Sequence, residues 1–316
     1  MVSERQPVVA RVALAGLAAY EHAERPAQPV PMPVAATVGA ASLRDYGGDG
    51  PVVLLIPSLI NPPHILDLDR EVSLAVAVRA MGRRPLLLDW GAASERADLD
   101  VTGHVEALLA PLIGSIGEPP ALVGYCLGGT MAIAAAANAR VERVATLAAP
   151  WHFSRYPGSA REAVQSLWRQ TGEASRAFGA MPMELLQAAF WSIDPERTVS
   201  KFARFGELEP GSPQALRFVA LEDWANEGEA LPRPAARELI EDLFGRDLPG
   251  SGRWVAAMPA VPARHFTAAH DRIAPAATAP DGDKVHIEAG HVGMVVGSAR
   301  TRLHDALRGF LSSAVP

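Results

Sequence analysis

Three side chains that lie far apart in this sequence have types that could act together: Cys126, Asp271 and His291. Cys126 is the one cysteine in 316 residues, at the centre of Val123-Gly124-Tyr125-Cys126-Leu127-Gly128-Gly129-Thr130. A thiol is nucleophilic only as its thiolate, so it needs a positive environment and a group to take its proton. An imidazole can take the proton, and a carboxylate can hold that imidazole in the useful tautomer. His291 stands in Gly290-His291-Val292-Gly293 and Asp271 follows His270, both in loop-like surroundings. His265 and His286 fall within runs that read as strands, and His64 reads as a loop residue making local hydrogen bonds. No HExxH or cysteine-rich pattern points to a metal.

Each of the three needs an element to carry it. Residues 121–123 form a short apolar run and residues 130–136 are strong helix formers, so Cys126 falls where a strand turns sharply into a helix. Gly124 and Gly128, with Gly129 beside them, would let that helix pack close to its neighbours. This is the pattern of a nucleophile elbow, with cysteine where serine is usual. The helix N-terminus favours a thiolate. Residues 51–57 read as a doubly covered strand, and the proline-stiffened loop after it, 58–68, is too apolar to be simply solvated. In such a site that loop lends one backbone N–H to an oxyanion hole and the residue after the nucleophile lends the other, which predicts Leu59 and Leu127 as donors.

Further strands are predicted at 36–46 (an edge), 84–90, 144–149, 261–268 and 285–288, with helices at 71–81, 101–116 and 298–311. This alternation predicts an α/β protein with a mostly parallel, doubly wound sheet. The chain order nucleophile, acid, histidine, each after a different strand, is that of an α/β-hydrolase fold. The rhythm breaks over 151–246, which is helical in pattern and rich in aromatics, and reads as a helical cap inserted between late strands. The predicted domains are an N-terminal helix and proline-rich arm (1–34), a core (35–150 and 247–316) and the cap (151–246).

With 49% hydrophobic and 20% charged residues the chain is globular, and a net charge of −6 without any basic run excludes a nucleic-acid partner. One cysteine makes no internal disulfide, which points to a reducing, cytoplasmic setting. No apolar stretch is long enough for a transmembrane segment. Val12 to Tyr20 follows Glu4, Arg5 and Arg11 and reads as an amphipathic first helix rather than a leader.

The sequence resembles the polyhydroxyalkanoate synthases, most closely the shorter catalytic subunit of the class III enzymes. The resemblance rests on Gly124-Tyr125-Cys126-Leu127-Gly128-Gly129, Ile60-Asn61 with Ile65-Leu66-Asp67-Leu68, and Leu88-Asp89-Trp90-Gly91. It continues through Phe218-Val219-Ala220-Leu221-Glu222-Asp223-Trp224, His270-Asp271-Arg272-Ile273-Ala274-Pro275 and Gly290-His291-Val292-Gly293. It implies that Cys126 receives a 3-hydroxyacyl group from a coenzyme A thioester, the substrate rather than a bound cofactor. It further implies that His291 is the general base and that Asp271 helps deprotonate the hydroxyl that attacks next. Its implied partners are a second copy in a homodimer, a second synthase subunit and a polyester granule surface. The chain departs from the family pattern at Leu59, and at His152, where the family has an aspartate. The alternatives are a thioesterase or intracellular polyester depolymerase on the same scaffold, and a non-catalytic granule-associated homologue.

Overall fold

The computed structural model describes residues 5–26, 31–193, 195–254 and 258–314. Residues 27–30 of the predicted arm lie outside the described residues. The strands are β1 (Val34–Val38), β2 (Ala41–Asp45), β3 (Val52–Ile56), β4 (Arg84–Asp89), β5 (Ala121–Tyr125), β6 (Arg143–Leu147), β7 (Ala180–Met181), β8 (Leu231–Pro232), β9 (Ala263–Ala268) and β10 (Lys284–Ile287). Eight of them form one sheet in the order β1-β2-β4-β3-β5-β6-β9-β10. β1 and β2 pair antiparallel, as do β2 and β4, and the other pairs are parallel. The central strands β3, β5 and β6 are buried along their whole length, β3 as an unbroken apolar run and β6 with Arg143 and Thr146 buried among apolar residues. The remaining two strands, β7 and β8, make a two-residue antiparallel bridge inside the helical region.

The single edge strand predicted over 36–46 is a hairpin instead. Gly39 takes φ +56° and turns the chain between β1 and β2, so β1 alone is the edge. The helix predicted over 71–81 begins at Leu74, because the Ser73 hydroxyl caps it by accepting from Val76 N–H. The stretch 101–115 is helical throughout, with a π segment at His104–Leu109.

The chain divides into two compact units, 1–30 with 184–227 and 31–183 with 228–316. The expected boundaries at 150 and 246 do not follow this division, since the middle of the predicted cap groups with the first helix. In the smaller unit the helix Arg5–Glu21 lies so close to the helix Pro195–Phe205 that a Cβ on Gly16 would sit 1.9 Å from the Phe202 carbonyl oxygen. Tyr20 packs on Phe202, Phe205 and Phe218 and donates to Asp223 at 2.6 Å. The first helix buries one face, Ala13, Gly16 and Tyr20 with Leu17 half-buried beside them, while Leu14 is 66% exposed. Among the described residues no helix is long and apolar enough to cross a membrane.

In the larger unit two histidines other than His291 are buried. His265 on β9 bonds the Thr146 hydroxyl on β6 at 2.9 Å, and His104 faces Arg96 at 3.1 Å and the Asp100 carbonyl at 2.6 Å. Burial lowers both to about 4, aided by the Lys284 charge at His265 and by the Arg96 charge at His104. Between that value and the ordinary 6.5 the unfolded chain binds more protons than the folded one, so stability present above pH 6.5 is lost as pH falls towards 4. The melting temperature is expected to fall across this window, and His265→Gln to remove part of the fall. A flat melting temperature over the same window would contradict neutral burial.

Candidate active site

Cys126 stands between the end of β5 and the helix Leu127–Ala136, with φ +56° and ψ −131°. A side-chain-bearing residue in such a conformation costs on the order of 1–3 kcal/mol and persists only where its surroundings hold it. Cys126 N–H donates to the Leu147 carbonyl on β6 at 2.9 Å, and the Cys126 carbonyl accepts from Gly129 N–H at 2.9 Å. The neighbouring glycines leave no alternative. A Cβ on Gly124 would lie 2.5 Å from the Gly128 carbonyl oxygen, and one on Gly128 would lie 2.2 Å from that of Ile56. A Cβ on Gly129 would meet the Ala149 methyl at 2.4 Å. The turn is buried on both sides, and Cys126 itself is partly exposed.

Leu127 occupies the first position of the elbow helix, where an N–H has no intrahelical acceptor. Leu59 lies in the buried loop after β3. The Pro57 carbonyl in that loop would be 2.5 Å from a Cβ on Gly128, and Trp90 Nε1–H holds the same carbonyl at 3.2 Å. The loop that carries Leu59 thus abuts the start of the elbow helix.

Asp271 and His291 meet, although 20 residues separate them. His291 Nδ1–H donates to Asp271 Oδ2 at 2.7 Å, and the Cys126 side chain is near enough to the ring to bear on its ionisation. Asp271 Oδ1 accepts from Ile273 and Ala274 N–H, each at 2.8 Å. Both carboxylate oxygens are therefore engaged, and the Asp271 side chain is 0% exposed. Burial by itself would lower the His291 pKa. The Cys126 charge, followed by the Asp271 hydrogen bond and charge, outweighs it and raises the ring well above the ordinary histidine range.

The sequence pattern did not single out Tyr125, whose ring packs 5.1 Å from that of His291. Its place between Gly124 and Cys126 was the available signal. At His152 the structure puts Nε2 2.9 Å from Asp281 Oδ2, and Asp281 also pairs with Arg155 at 3.1 Å.

No protein-family profile matches this chain. The poly(3-hydroxyalkanoate) polymerase subunit PhaC of Haloferax mediterranei is 28% identical over 201 residues, which is 61% of this chain and 41% of that one. The subunit of the same name from Allochromatium vinosum is 24% identical over 289 residues, covering 82% of this chain and 80% of its own. The chain spans about two fifths of the length of the Haloferax mediterranei and Haloarcula marismortui relatives it matches. Among solved structures, an esterase from Thermogutta terrifontis matches 90% of this chain with 98% of its own at 19% identity, TM-score 0.51. A monoacylglycerol lipase from Paleococcus ferrophilus matches 85% of this chain with 98% of its own at 16% identity, TM-score 0.53. An epoxide hydrolase of the α/β-hydrolase superfamily from hot-environment metagenomes matches 90% with 100% of its own at 17% identity, TM-score 0.53. The fold is that of the α/β-hydrolases.

The two kinds of glycine separate the packing argument from simple helix propensity. Gly128→Ala is expected to cost more than about 2 kcal/mol, because its methyl meets backbone that cannot give way. Gly114→Ala, with nothing within 4 Å of the new methyl, is expected to be neutral or to stabilise by up to about 1 kcal/mol. Urea denaturation of both variants checks this, and equal stabilities would contradict it.

Proposed function

We propose that this chain is a polyhydroxyalkanoate synthase-like acyltransferase. It would carry 3-hydroxyacyl groups from coenzyme A through a thioester on Cys126 to a hydroxyl acceptor, the end of a growing polyester. The observation that carries this reading is a cysteine at the strained turn, beside a histidine that a buried carboxylate holds. The likeness of the sequence to polymerase subunits supports it.

In the first half-reaction the Cys126 thiolate attacks the thioester carbonyl, and collapse of the tetrahedral adduct expels coenzyme A, which leaves with the proton held by His291. The N–H groups of Leu59 and Leu127 are the proposed donors to the oxyanion. One thioester replaces another of nearly equal energy, so the acyl-enzyme persists until a second nucleophile reaches it. In the second half-reaction the acceptor hydroxyl gives its proton to His291 and attacks the acyl carbon, forming the ester and releasing the Cys126 thiolate.

For Asp271 we propose the orienting role rather than the deprotonation of the acceptor that the resemblance implies. Its two oxygens already take three hydrogen bonds and present no exposed surface. A homodimer, a second synthase subunit and a granule surface are proposed partners on the strength of the resemblance, and the cytoplasm is the proposed compartment.

The test is to mix the full chain with 3-hydroxybutyryl-CoA, follow thiol release and analyse the acyl product by mass. The expected outcome is an acyl adduct on Cys126 followed by oligomeric ester, with Cys126→Ala losing at least about a thousandfold in rate. Free 3-hydroxybutyrate at the rate of thiol release would replace this reading with a thioesterase. No release with either protein would contradict acyl transfer from this substrate.

A further inference from the structure

The Asp271 loop depends on a residue distant in sequence. Tyr156 follows the short 3-10 turn Phe153–Arg155, which comes after β6, and its ring is buried against Phe153 at 5.9 Å and Phe244 at 4.9 Å. Its hydroxyl donates to the Ile273 carbonyl at 2.9 Å. That carbonyl belongs to the same rigid peptide plane as the Ala274 N–H, which donates to Asp271 Oδ1 at 2.8 Å. The plane therefore has the Tyr156 phenol on one side and the Asp271 carboxylate on the other. Turning it to free the carbonyl would withdraw the N–H from Asp271. The other oxygen of the same carboxylate takes the His291 bond, and His291 is the ring proposed above to pair with Cys126.

We infer that Tyr156 is a positioning residue. Its hydroxyl fixes the Ile273–Ala274 peptide, and through that peptide the Asp271 carboxylate that orients His291 toward Cys126. The inference rests on the proposed pairing of Cys126 with His291. A phenol is well suited to this role, because burial, then the nearby charges of Cys126 and Asp271, raise its pKa far above the ordinary value and keep it a donor wherever the protein is folded. The groups that titrate around the pair are Cys126, His291 and Asp271, with the Tyr125 ring against the imidazole and Tyr156 behind the Asp271 loop.

Tyr156→Phe keeps the ring and removes the hydrogen bond. The readout is the rate of Cys126 alkylation by iodoacetamide against pH, which follows the thiolate held by the pair, measured alongside the melting temperature. The expected result is a profile displaced to higher pH. At pH 6 the rate should fall by roughly three- to tenfold, the size of one lost neutral hydrogen bond. Asp271→Asn and His291→Ala should displace it further. Phe153→Leu, which disturbs the same aromatic cluster but not the hydroxyl, should lower the melting temperature and leave the profile in place. If Asp271→Asn and His291→Ala move the profile and Tyr156→Phe does not, the positioning role is overturned while the pairing stands. An equal displacement in Phe153→Leu also overturns it, by assigning the effect to packing. If none of the variants moves the profile, the pairing fails and the positioning role fails with it.

Discussion

The arrangement around Cys126 depends on one unfavourable backbone conformation. A residue with a side chain at φ +56° would relax if it could, and the flanking structure prevents this on every side. Its N–H is committed to β6, its carbonyl to the first turn of the helix, and its glycine neighbours rest on the backbone at the end of β3 and on Ala149. The sheet order makes this possible. β5 lies between β3 and β6, so both neighbours of the nucleophile strand supply the walls that hold the turn. The strain has a use, because it lifts the thiol out of a turn whose other residues are buried.

Electrostatics act on this fixed point. A buried imidazole prefers to be neutral, and a thiol beside a neutral ring prefers to keep its proton. Asp271 on one side of the ring and the Cys126 charge on the other reverse the first preference. The N-terminal end of the elbow helix adds to this at the sulfur. Such a pair tolerates little displacement, which is why the Asp271 carboxylate is tied down by two backbone N–H groups as well as by His291.

How much of this could be read in the sequence follows from which constraints act on residue type. The elbow was legible because close backbone approach admits only glycine, which leaves a pattern at Gly124, Gly128 and Gly129. The central strands were legible because burial on both faces selects mostly apolar residues, unbroken in β3. Asp271 and His291 were legible from their places after late strands. The hairpin at 34–45 was missed because residues on both sides of Gly39 suit a strand equally well. The grouping of the first helix with 184–227 was hidden because nothing in Gly16, Leu17 and Tyr20 says which distant segment they pack against. The bond from Tyr156 to a backbone carbonyl had no signature, since a carbonyl is present at every residue.

The proposed function rests on a charged pair of Cys126 and His291 at this turn, and the most direct measurement is the ionisation of the His291 ring followed by NMR of labelled imidazole. In the unaltered protein the ring is expected to remain cationic at neutral pH, well above the ordinary histidine range. In Cys126→Ala, with the opposing charge gone, its pKa is expected to fall as burial regains weight. A ring already neutral at pH 7 in the unaltered protein, or one whose titration is the same in both, would contradict the account.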